Sequence, residues 1–365
     1  SCGWKTAVVS ADVTQQVQES APNVPQAVNE DKATAQDLRK AVAEYAVEED
    51  AFERHLIAKQ IGTDFGARGS TLDSLTHALE PPATGGVQEI ADVMVGVFDD
   101  IEARSMGKVP PGVKTGFYDL DGITGGFQPS DLIVIAGRPA MGKTALAMGL
   151  ARGAALEGVK TLVFSLEMGK DQLVRRLLSA VCSIESGRLR AGKVGQHEWE
   201  PLGHAISKIS NLPMVIDDTP EQTVLNMESV AKKHKPQLMV VDHCQLLDGP
   251  GRDEYAKVTY NTKKLKALAR KLDIPIILLS QLSRAVEGTN SKRPAMSHLK
   301  QSGSIEQDAD LVMMLYREDY YDPDTTERGI AEVIIGKHRN GPTGTVKLLF
   351  EPAFTRFRNL APRIG

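Results

Sequence analysis

Leu132-Ile133-Val134-Ile135-Ala136 runs without a break into Gly137-Arg138-Pro139-Ala140-Met141-Gly142-Lys143-Thr144. The first five residues, three of them β-branched, read as a strand buried on both faces. The next eight satisfy G-x-x-x-x-G-K-[ST] in full, and the helix formers Ala145-Leu146-Ala147-Met148-Gly149-Leu150-Ala151 follow. The order strand, tight loop, helix has a chemical meaning. Gly137 and Gly142 let the backbone curl until successive N–H groups face inward. The new helix then aims its positive end at the same point, which suits a di- or triphosphate. Lys143 adds a mobile cation for the outer phosphates, and Thr144 offers a hydroxyl to Mg²⁺.

Outward from this loop, apolar β-branched runs alternate with helical stretches. Strands are expected at 132–136, 161–166, 213–217, 237–242, 275–280, 310–316, 331–337 and 344–350. Runs such as Leu238-Met239-Val240-Val241 and Pro275-Ile276-Ile277-Leu278-Leu279 are apolar almost throughout, the mark of strands covered on both faces. The fold expected is α/β: a P-loop NTPase with a mainly parallel twisted sheet flanked by helices. Asn340-Gly341-Pro342-Thr343-Gly344, between the last two strands, reads as a hairpin turn at the sheet's edge.

Upstream the pattern changes. Residues 1–34 are rich in Gln, Ser, Asn and Val and show no sustained period, so a flexible segment is expected. Residues 35–86 read as a small helical region with a linker: helical spacing from 35 to about 61, a short helix at 71–79, then Glu80-Pro81-Pro82-Ala83-Thr84-Gly85-Gly86. In residues 87–108 an isolated amphipathic helix carries Ile90, Val93, Met94, Val97 and Ile101 on one face. That face packs on its own domain or docks on a neighbouring subunit. Residues 109–365 form the nucleotide-binding domain.

The 43 Lys and Arg against 47 Asp and Glu give a net charge of −4, with the acidity concentrated in the first ninety residues. Cys2, Cys182 and Cys244 are far apart and form neither a zinc spacing nor a disulfide framework, which fits a reducing compartment. No apolar stretch approaches membrane-spanning length and Ser1-Cys2-Gly3-Trp4-Lys5 is no signal peptide, so a soluble cytoplasmic protein without membrane partners is expected.

A triphosphatase needs a carboxylate near the metal, a base to orient water, a sensor of the γ-phosphate and positive charge for the transition state. Each has a candidate at a strand end. Asp242 closes Leu238-Met239-Val240-Val241 and stands where a metal-side acid belongs. Glu167 follows the strand after the loop helix; on spacing alone it serves equally as a water-polarising base or an exposed surface acid. Gln281 ends its strand with one donor and one acceptor, able to report the γ-phosphate. Lys337, His338 and Arg339 close the next-to-last strand, either as a solvated basic turn or as charge reaching the nucleotide of an adjacent subunit.

Together these segments resemble one family, the replicative DNA helicases of the DnaB type with a RecA-like motor domain. The resemblance runs from about Val109 to Leu360. It rests on Thr115-Gly116-Phe117-Tyr118-Asp119-Leu120-Asp121, the phosphate loop, Phe164-Ser165-Leu166-Glu167-Met168 and Val241-Asp242 with Gln245-Leu246-Leu247. It rests equally on Ser280-Gln281-Leu282-Ser283-Arg284, Ser302-Gly303-Ser304-Ile305-Glu306-Gln307-Asp308-Ala309-Asp310 and Lys337-His338-Arg339-Asn340-Gly341-Pro342. The resemblance implies ATP with Mg²⁺ held by Thr144 and Asp242. It implies Glu167 as catalytic base, and Lys337 and Arg339 acting on the neighbour's ATP. It implies a homo-hexameric ring around single-stranded DNA with 5′ to 3′ translocation, and a primase and a helicase loader as partners.

The DNA-binding segment would be a loop, Leu299-Lys300-Gln301-Ser302-Gly303, with Arg284 in the stretch leading to it. The family's usual Arg-Glu is Lys300-Gln301 here, which keeps the charge but loses the bidentate fork. His243-Cys244 stands where the family commonly has Tyr then Leu or Ile, a change expected to touch packing more than chemistry. Residues 1–86 do not match the family's usual N-terminal domain. The alternative is a recombinase-like RecA ATPase on DNA without unwinding activity.

Overall fold

The computed structural model describes residues 89–107, 112–289 and 291–360. The flexible segment expected at 1–34 and the helices and linker expected at 35–86 lie outside the described residues. The chain divides into two units, Ser1–Val109 and Pro110–Gly365. Of the first unit one helix is described, α1 (Ile90–Ser105), close to the amphipathic helix expected there. Ile90, Val93, Met94, Val97 and Ile101 on it are all exposed.

The second unit is built on a nine-stranded sheet in the order β3-β2-β4-β5-β1-β6-β7-β8-β9. Helix α2 (Tyr118–Thr124) precedes β1 (Leu132–Gly137), whose six residues are all buried. Helix α3 (Lys143–Leu156) leads to β2 (Thr161–Ser165), then α4 (Lys170–Cys182), α5 (Ser186–Arg190) and α6 (Trp199–Ser210) lead to β3 (Met214–Asp217). Next come α7 (Val224–His234), β4 (Leu238–Asp242), α8 (Glu254–Leu272) and β5 (Ile276–Gln281). A short helix, α9 (Gly303–Asp308), precedes β6 (Leu311–Tyr316), and β7 (Ile330–His338), β8 (Gly344–Glu351) and β9 (Arg356–Asn359) finish the sheet.

β1 to β6 are mutually parallel, and β7 to β9 are added antiparallel. Because side chains alternate across a strand, the parallel strands feed two cores. Ile133, Ile135, Val163, Val240, Ile277 and Leu279 meet Leu146, Leu150 and Ala154 of α3 and Leu173 of α4 on one face. Leu132, Val134, Phe164, Met239, Val241 and Leu278 meet Met227 of α7 and Leu265 and Leu268 of α8 on the other. Near-continuous apolar strands are therefore covered on both sides, as their composition requires. At Gly153 on α3 a Cβ would collide with the Thr115 carbonyl, so glycine there lets the segment before α2 lie directly on the helix.

All eight expected strands are present, with ends displaced by a residue or two. The hairpin of β7 and β8 also stands, but the edge assignment is corrected. β7 pairs with β6 on one side and β8 on the other, and β9 covers β8, so Lys337 to Arg339 end an interior strand. The segment expected as a DNA-binding loop is helical: a 3₁₀ stretch spans Met296–Ser302 and α9 begins at Gly303. No helix among the described residues is long and apolar enough to cross a membrane.

Candidate nucleotide site

β1 delivers the chain at the C-terminal rim of the parallel strands, and α3 starts from the same rim. Gly142 precedes α3 at φ 101°, a conformation that favours glycine, and a Cβ there would press on the Phe357 ring at 3.1 Å. Phe350 and Phe357, with centroids 4.7 Å apart, support the loop from below. The Arg317 guanidinium lies 4.3 Å from the Phe350 ring centroid and reaches the Ala140 carbonyl at 3.4 Å. Neither the aromatic pair nor Arg317 is legible in the motif, because they come from strands remote in sequence. Arg138 turns outward, donating to the Leu282 carbonyl at 2.9 Å and pairing with Glu287 at 2.6 Å.

Lys143 folds back over the loop, donating from Nζ to the Gly137 carbonyl at 2.9 Å and the Arg138 carbonyl at 3.3 Å. Burial lowers its pKa, against the pull of Asp242 and Glu167. The Thr144 hydroxyl donates to Asp242 Oδ2 at 2.8 Å, so the two groups expected to share a metal lie side by side. Burial pushes the Asp242 carboxyl above its usual range, opposed first by that hydrogen bond. Glu167 follows β2, which pairs with β4 so that Ser165 lies opposite Asp242. Its carboxylate is half exposed, with Oε2 3.2 Å from His243 Nδ1; the same nitrogen lies 3.7 Å from Asp242 Oδ1. Cys244, next along, is fully buried in the apolar core, which pushes its thiol up to about 12. Gln281 is exposed at the end of β5, in register with Gly137 of the loop.

One cation escapes the sequence reading. Arg176 on α4 feels the charges of both Asp242 and Glu167, while burial lowers its pKa. The signal that could find it is its position between the buried Leu173 and Leu177, nine residues after Glu167.

Lys337 and Arg339 are not brought to this rim. β7 runs antiparallel to β6, so its end lies beside the start of β1. Arg339 Nη1 pairs with Asp310 Oδ1 at 2.9 Å, and Asp310 Oδ2 accepts from the Leu132 amide at 2.8 Å and from Lys266 at 2.5 Å. The six residues of β1 separate Arg339 from the loop, roughly 20 Å at the usual strand rise. Lys337 Nζ donates to the carbonyls of Glu306 (2.7 Å) and Gln307 (3.3 Å) in the last turn of α9. Arg284 is exposed in a 3₁₀ turn after β5. Lys300, Gln301 and Gly303 fall on the helical segment before β6, between the two rims.

Residues 112–359 match the DnaB-like helicase C terminal domain. The chain belongs to the DnaB-like helicases. It is similar to the replicative DNA helicase DnaC of Bacillus subtilis, 40% identical over 336 residues, covering 87% of this chain and 74% of that one. It is likewise similar to the replicative DNA helicase DnaB of Geobacillus stearothermophilus, 41% identical over 337 residues with the same coverage. Among solved structures, an ATPase domain solved on its own superposes with a TM-score of 0.72 at 37% identity, covering 75% of this chain and all of that one. A DnaB-like replicative helicase, described with its interactions with primase, gives 0.69 at 33%, covering 89% and 77%. The sheet of this helicase chain is thus that of a RecA-like ATPase. The expectation that residues 1–86 stand outside the family is also corrected. The match to the Bacillus protein leaves only 13% of the chain uncovered, too little to contain them all.

The residues present fit a magnesium nucleotide. Thr144 and Asp242 offer hard oxygen donors, the set Mg²⁺ prefers, beside a helix N-terminus and a lysine bonded only to its own loop.

Proposed function

We propose that this chain is an ATP-driven DNA helicase that assembles as a homo-hexameric ring, moves 5′ to 3′ along single-stranded DNA and unwinds the duplex ahead. The observation that supports it is the separation of two basic groups, Lys143 at one rim of the sheet and Arg339 with Lys337 at the other. One nucleotide cannot touch both within a subunit, but a ring places one rim against the next subunit's other rim.

In this reading the loop amides from Gly137 to Thr144 and the Lys143 ammonium hold the phosphates of ATP. Thr144 and Asp242 hold Mg²⁺, which would neutralise charge on the outer phosphates. Glu167 accepts a proton from the water whose oxygen attacks the γ-phosphorus, and Gln281 senses that phosphate. Lys337 and Arg339 stabilise the charge developing on the neighbour's nucleotide. Arg284, Lys300, Gln301 and Gly303 hold the DNA backbone, α1 docks on the adjacent subunit, and a primase and a loader engage the ring in the cytoplasm.

The deciding experiment is unwinding of a forked duplex. Strand separation that needs ATP and a 5′ single-stranded arm is expected. DNA-stimulated ATPase without strand separation would replace this reading with the recombinase-like one.

A further inference from the structure

We propose that His243 is a positioning residue for Glu167: its Nδ1–H holds the carboxylate in the orientation from which it takes the proton of the attacking water. The inference rests on the assignment of Glu167 as the base.

The geometry is specific to this side chain. His243 follows Asp242 directly, and its ring is nine-tenths buried, whereas the Glu167 side chain is 56% exposed. A half-exposed glutamate is free about three torsions and spends much of its time out of line. Among the described residues, His243 Nδ1 is the one polar side-chain atom recorded within hydrogen-bonding reach of that carboxylate, 3.2 Å from Oε2. The same nitrogen lies 3.7 Å from Asp242 Oδ1. A ring nitrogen between two carboxylates, both pure acceptors, is the one that carries hydrogen. Lys143 and Arg176 also attract Glu167, but as charges acting through space. They draw the carboxylate toward the loop without choosing its rotamer. A rigid ring held by packing does choose it, and a contact of this length shortens when the nucleotide closes the site. The structure therefore moves His243 from a packing substitution to a part of the chemistry, whereas Cys244 stays a packing residue.

The test compares His243→Leu, which has no donor, with His243→Asn, of near-equal volume, whose Nδ2 stands close to where Nδ1 was. Single-turnover ATP hydrolysis and binding of a fluorescent ADP analogue are measured in the full-length protein with Mg²⁺. Losing one fixed rotamer of the base costs roughly tenfold in rate. His243→Leu is expected to show that loss with unchanged nucleotide affinity, and His243→Asn to keep most of the rate. In a Glu167→Ala background the Leu substitution should have no further effect. Equal losses in Leu and Asn, or a loss that appears in affinity, would return His243 to packing. Wild-type rates in His243→Leu beside an inactive Glu167→Ala would overturn the positioning role and leave the base intact. An active Glu167→Ala would remove the base, and the proposal with it. Should His243→Leu not fold, His243→Ala lacks the donor without crowding the site and answers the same question.

Discussion

Asp131, one residue before β1, carries a displacement that no motif announces. Burial, then the neighbouring Asp310, push its carboxyl up to about 6, against Lys266, His338 and Arg339. A carboxyl whose folded pKa lies above its unfolded value favours the folded state while protonated. That contribution is complete below the unfolded value, 3.8, and is lost as pH rises through about 6. Asp131→Asn keeps the neutral form at all pH. Since the group is nearly half exposed, screening leaves about 1 kcal/mol of the nominal effect. Thermal melts should therefore show the Asn variant more stable than wild type near pH 7, with the difference closing toward pH 4. A less stable variant near neutrality would mean that Lys266 and Arg339 need the charge. Other single residues differ in how far the sequence announces them. Gly137 to Thr144 form a contiguous pattern with one mechanical meaning, whereas Arg176 and Arg317 act on the loop from other strands and helices, where linear spacing carries no signal.

Helix α1 presents an exposed apolar face, with Val93 and Val97 each close to half exposed. Such a face belongs in an interface, and each aliphatic buried there contributes on the order of 1.5–3 kcal/mol. Replacing Val93 and Val97 by Asp should dissociate the oligomer in analytical ultracentrifugation while the circular dichroism melt of the monomer stays unchanged. A subunit that no longer folds would assign the helix to its own domain. Elements like this one, and the eight expected strands, are legible because burial on one or both faces stamps a period on the sequence. β9 is not. Its four residues, Arg356-Phe357-Arg358-Asn359, bury only Phe357, and a single apolar residue between two arginines gives no period to read. The helical segment from Met296 to Asp308 escapes for a related reason: a 3₁₀ run passing into a six-residue helix is too short to repeat a face. Strand order is equally invisible, so the sequence puts Lys337 and Arg339 at an edge that β9 in fact occupies.

At the scale of the assembly, the two rims give a test that needs no ring structure. Lys143→Ala subunits should lack ATPase because the phosphates lose their flexible cation, and Arg339→Ala subunits should lack it because the neighbour goes unassisted. Mixing the two should restore part of the activity, since some interfaces in a mixed ring contain an intact Lys143 facing an intact Arg339. No recovery in rings proven to be mixed would place Arg339's role within its own subunit, at the Asp310 pair.

The same separation across β1 sets an inventory of working sites. When each site is assembled from two molecules, a closed ring has as many complete sites as subunits. An open file of the same subunits has one fewer, with an idle Lys143 at one end and an idle Arg339 at the other. Opening the ring to admit a strand of DNA therefore silences one seam and leaves the rest running, and the silent seam is where the gap lies.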